Sequence, residues 1–84
     1  MNKILLIEDD SSLGPAIKST LTQEGYQVDL SENLEKARVS LKEEYDLVLL
    51  DWMLPDGQGV DLLKEINLWN IYELKKNISQ LGLL

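Results

Sequence analysis

The chain has no cysteine and no histidine. The first absence excludes disulfides, thiolate nucleophiles and cysteine-ligated metals. The second excludes histidine bases, histidine metal ligands and a phosphohistidine on this chain. Basic residues are also scarce, 8 against 15 acidic in 84 residues, for a net charge of −7. That balance argues against direct nucleic-acid binding, which needs a basic surface, and favours cations or basic partners. The longest apolar runs, such as Ile4 to Ile7 and Leu47 to Leu50, fall far short of the roughly 20 residues that span a bilayer. Met1-Asn2-Lys3 does not open a secretory signal. A cytoplasmic location is the expectation. What remains for chemistry is carboxylates, hydroxyls, lysines and backbone, and at 44% hydrophobic and 27% charged the composition is that of one small globular domain.

Ile4-Leu5-Leu6-Ile7 is unbroken by polar residues and is followed at once by Glu8-Asp9-Asp10. Such a run predicts a strand covered on both faces, as in parallel sheets. Ser11-Ser12 reads as a helix start, and Pro15 suits a first turn. Leu13, Ile17 and Leu21 then share one helical face until Gly25. Val28 and Leu30 alternate with Gln27 and Asp29, the pattern of a half-exposed strand at a sheet edge. With Ser31 as a candidate cap, Leu34, Ala37 and Leu41 mark a second amphipathic helix.

Leu47-Val48-Leu49-Leu50 repeats the first strand's pattern and again ends in an acid, Asp51. Leu54-Pro55-Asp56-Gly57 has turn chemistry, and Val60, Leu63 and Ile66 open a third helix. The β-α-β-α-β-α order predicts an α/β fold with right-handed crossovers and a three-stranded parallel sheet with helices on both faces, and placing the alternating second strand at the edge gives the order 2-1-3.

Composition changes after residue 66. Residues 1–66 carry 6 basic and 14 acidic side chains, whereas 67–84 carry 2 and 1. Ile71, Leu74, Ile78 and Leu81 recur at spacings of three, four and three, which predicts a helical tail over 67–84 rather than a fourth strand. The chain is accordingly divided into a βαβαβα segment, 1–66, and a divergent tail, 67–84.

Acids thus collect at the carboxyl ends of two strands, where open α/β sheets bind ligands. In the order 2-1-3, Glu8, Asp9 and Asp51 converge on one crevice. Neighbouring carboxylates repel unless a cation intervenes, and a few carboxylates with water are how Mg²⁺ is usually held. Asp51 beside such an ion is a candidate nucleophile towards phosphorus. The competing reading, that these acids are solubilising loop residues, is weakened by their following two separate apolar strands. A phosphatase of the haloacid dehalogenase type would want a second Asp two positions after Asp51, and position 53 is Met.

Ile4-Leu5-Leu6-Ile7-Glu8-Asp9-Asp10, together with Asp46 to Gly59 around Asp51, resembles the receiver domain of two-component response regulators, in particular the subfamily with a winged-helix output domain. The match covers residues 3 to about 66 and combines the acid pair, Asp51, Pro55 four positions on and Gly59 eight positions on. The resemblance implies a flavodoxin-like fold, partial in this chain. It implies that Asp51 accepts a phosphoryl group from a sensor histidine kinase or phosphotransfer protein. It also implies Mg²⁺ held by Asp9, Asp51, the backbone carbonyl of Met53 and, through the acidic pocket, Glu8. Such a chain is a signalling phosphoprotein rather than an enzyme.

Receivers have five strand-helix units. Strand starts near Lys3, Gln27 and Leu47 are 24 and 20 residues apart, so five units need roughly 110 residues. The expectation is a truncated receiver, impaired because the family's strand-end Ser or Thr and Lys have no matching position. The same expectation gives this chain no output domain of its own to bind DNA. The alternative is a non-phosphorylated interaction module or an inert fragment. Leu47 to Leu50, with no charge or proline to blunt it, would present a bare edge for self-association unless the tail covers it.

Overall fold

A computed structural model describes residues 2–51, 53–63 and 71–73. The chain alternates strand and helix: β1 (Lys3–Ile7), α1 (Leu13–Gln23), β2 (Gln27–Ser31), α2 (Leu34–Ser40) and β3 (Leu47–Leu50). A short hairpin, β4 (Met53–Leu54) and β5 (Gly57–Gln58), leads into α3 (Gly59–Leu63), and β6 (Ile71–Glu73) follows.

The main sheet is parallel in the order β2-β1-β3-β6. Its centre is the expected one, with β1 pairing β2 through Ile4↔Val28 and β3 through Ile4↔Leu47. The alternating strand, β2, sits at an edge as its pattern requires. Successive residues of β1 serve opposite layers. Leu5 and Ile7 pack with Leu34, Val48, Leu50 and Leu62 on the side of α2 and α3. Ile4 and Leu6 pack with Val28 and the apolar face of α1 on the other. All four of these β1 side chains are at most 2% exposed, which is why the run contains no polar residue.

Two expectations are corrected. Ile71–Glu73 is a strand, not part of a helical tail, and it adds a fourth member to the sheet through Val48↔Ile71, Leu49↔Tyr72 and Leu50↔Glu73. The helical spacing of Ile71 with Leu74, Ile78 and Leu81 is a local signal, whereas pairing with β3 is a long-range one that satisfies a row of backbone groups. It follows that β3 is an interior strand, and the bare edge on which self-association was expected is occupied along Val48–Leu50. The remainder of the 67–84 tail, residues 67–70 and 74–84, lies outside the described residues. The second correction concerns α2. Ser31 is the buried end of β2, and the helix is capped by Asn33, whose Oδ1 accepts the Lys36 N–H at 2.8 Å.

Candidate functional site

Glu8 and Asp51 are the first residues beyond β1 and β3, and each extends the backbone ladder by one bond. The Glu8 N–H donates to the Ser31 carbonyl at 3.0 Å, and the Asp51 N–H to the Ile7 carbonyl at 2.9 Å. Both side chains are therefore projected from rigid backbone. They are also buried, Glu8 at 1% and Asp51 at 0% exposure, whereas Asp9 is exposed.

The three carboxylates each offer an oxygen, and these atoms lie within 4.8 Å of one another. The sequence predicts that these three converge, and the fold brings them together. Glu8 Oε2 accepts the Asp10 N–H at 3.1 Å. Its second oxygen, Oε1, is buried and has no hydrogen-bond partner among the described residues. Burial pushes the Glu8 carboxyl up to about 7, reinforced by the neighbouring Asp51 carboxylate and its charge, while the Asp10 N–H works in the opposite direction. Two carboxylates in one dry crevice are a poor arrangement for protein alone, because each disfavours ionisation of the other. The donor set is hard oxygen, with an exposed side at Asp9, and fits a small divalent cation that keeps part of its water.

Met53, the fourth residue singled out, lies in β4. Its N–H points at Asp51 Oδ1 at 3.3 Å, and its side chain is exposed. The hairpin is folded back on β3 by two glycines. Gly57 has φ +151°, a conformation that side-chain-bearing residues rarely adopt. A Cβ on Gly59 would overlap the Asp51 carbonyl oxygen and crowd Leu50, so only glycine permits this close approach.

Asp10 caps α1: its Oδ1 accepts the Ser12 and Leu13 N–H groups, both at 2.8 Å, while Ser12 makes no side-chain cap. In the sequence Asp56 carries only the signature of a turn residue. It reaches across to the start of α2, a contact between residues 22 and 21 positions apart that no local pattern signals.

The sequence matches the family described as the response regulator receiver domain over residues 4–76. Among curated proteins it is 44% identical over 66 residues to the transcriptional regulatory protein CpxR of Klebsiella pneumoniae and 42% identical to CpxR of Escherichia coli K12. Each match covers 79% of this chain, which spans only 28% of the relative's length. Among solved structures, the non-phosphorylated HemR receiver domain of Leptospira biflexa has a TM-score of 0.72 at 40% identity, covering 77% of this chain and 53% of that one. The Thermotoga maritima response regulator TrrA, solved in complex with Mg²⁺ and BeF, has a TM-score of 0.73 at 36% identity, covering 79% and 58%.

Proposed function

Because the chain belongs to the response regulator receiver domain family, we propose that it works as a phospho-acceptor in a phosphorelay, with Asp51 as the acceptor and Glu8, Asp9, Asp51 and the Met53 carbonyl holding Mg²⁺. The observation that carries this reading is the convergence of three carboxylates at the ends of adjacent strands, two of them buried. Bound Mg²⁺ would supply the positive charge that lets Asp51 stay ionised beside an incoming phosphoryl group.

The chain's own residues do the rest. Asp51, fixed by its ladder bond, presents a carboxylate oxygen that attacks phosphorus. The new P–O bond forms as the donor's bond to phosphorus breaks, and the electron pair leaves with the donor. To help hold the cation, Glu8 would have to release its proton to solvent. Asp9, the exposed member, stands on the side from which metal and donor would enter.

The donor in this reading is a sensor histidine kinase or phosphotransfer protein, and the setting is the cytoplasm. Among the described residues no helix is long and apolar enough to cross a membrane. Transcriptional control belongs to the named relatives, and this chain's own effect would pass through the proteins that exchange phosphoryl groups with it.

The test is transfer from an autophosphorylated histidine kinase in the presence of Mg²⁺. Label should leave the kinase for the native chain and not for Asp51→Asn. Equal labelling of the two would exclude Asp51 as the acceptor, and none in either would favour a non-phosphorylated interaction module.

A further inference from the structure

Asp56 lies in the turn of the β4–β5 hairpin, and its two oxygens hold different amides of α2. The Leu34 N–H donates to Oδ1 at 2.8 Å and the Glu35 N–H to Oδ2 at 3.0 Å. A helix leaves its first amides without partners inside the helix. At α2 the next of these, Lys36 N–H, is taken by Asn33 at 2.8 Å. The first turn is therefore capped twice, once from its own flank and once by a carboxylate from the segment that follows Asp51.

The same hairpin is tied at its other end to the acceptor strand. Met53 N–H is 3.3 Å from Asp51 Oδ1, and Gly59 lies directly against the Asp51 carbonyl. Between the two ends, Leu54 is buried in the same cluster as Leu34, and a Cβ on Gly57 would stand 2.7 Å from Leu34 Cδ1. The hairpin is thus a strut from Asp51 to the start of α2. Its outer end is held by charge-assisted hydrogen bonds, and those N–H groups, Leu34 first, keep the Asp56 carboxyl below the usual range.

We infer that Asp56 is a positioning residue of the acceptor site, fixing the Met53 carbonyl and the Asp51 carboxylate by anchoring the hairpin between them and α2. This rests on the reading of Asp51 and Met53 as cation-holding groups. A residue that only capped α2 would stabilise the helix and leave the site untouched. Asn33 is the control, since it caps the same turn from outside the hairpin.

The experiment measures Mg²⁺ affinity by calorimetry and amide hydrogen exchange by NMR on the native chain, Asp56→Ala, Asp56→Asn and Asn33→Ala. Asp56→Ala should weaken Mg²⁺ binding about tenfold, the usual scale for removing a group that orients metal ligands. It should also speed exchange at Met53 and Gln58 along with Leu34 and Glu35. Asp56→Asn keeps one acceptor oxygen, should fall between, and decides the matter if the alanine variant does not fold. Asn33→Ala should speed exchange at Lys36 and leave Mg²⁺ affinity unchanged. Unaltered exchange at Met53 and Gln58 in the Asp56 variants, or equal Mg²⁺ affinities in Asp56→Asn and Asn33→Ala, would overturn the assignment. If the native chain bound no Mg²⁺, the metal reading would fall, and exchange at Met53 and Gln58 would alone decide the role of Asp56.

Discussion

Glu8 is the residue that most clearly bears a conflict between stability and site chemistry. It is a carboxylate at 1% exposure whose neighbour, Asp51, is another. Its folded-state pKa is raised from 4.5 to about 7, so the folded chain takes up a proton there more readily than the unfolded one. The stability linked to that proton is fully present below about pH 4.5 and is lost as pH rises through about 7. The metal-free chain should therefore lose thermal stability through this group between about pH 5 and pH 8, and Glu8→Gln should flatten the slope. Melting curves in a chelator check this, and an unchanged slope in Glu8→Gln would count against it. At about pH 8 the same variant should be more stable than the native chain without Mg²⁺ and should gain less when Mg²⁺ is added. At this scale the site was legible because Glu8 and Asp51 each directly follow an apolar run, with Asp9 next to Glu8. Which of them is buried was not legible, since that depends on the layers packed above.

Elements were legible where their signal is local. β1 and β3 announced themselves as continuous apolar runs, β2 by alternation, and α1 by the spacing of Leu13, Ile17 and Leu21. Signals that need a partner were not. The β6 pairing is made by β3 from more than 20 positions away, and the cap that Asp56 places on α2 spans a similar gap. The hairpin depends on one backbone approach that can be tested alone. Gly59→Ala forces a methyl against the Asp51 carbonyl, and overpacking of this kind costs roughly 1–3 kcal/mol. Urea unfolding should show that loss, and Mg²⁺ affinity should fall with it because the displaced atom belongs to Asp51, the proposed acceptor. A variant with native stability would mean that the backbone yields freely there.

At the scale of the whole molecule, the order β2-β1-β3-β6 sets two adjacent strand ends side by side and so makes an acidic crevice out of residues 43 positions apart, Glu8 and Asp51. Part of the −7 net charge is concentrated there. The sheet also depends on its last strand. Removing residues 67–84 takes β6 from β3 and leaves unpaired backbone beside Val48–Leu50, an unblunted edge that recruits other chains. Light scattering should then show association that grows with concentration, and a clean monomer would argue that β6 contributes little. Whether this crevice makes Asp51 a phospho-acceptor can be read by intact-mass measurement after incubation with a small phosphodonor. The native chain should gain a single phosphoryl group only when Mg²⁺ is present, and Asp51→Asn should gain none. A native chain that stays unmodified with Mg²⁺, or an Asp51→Asn chain modified to the same extent, would rule Asp51 out as the acceptor.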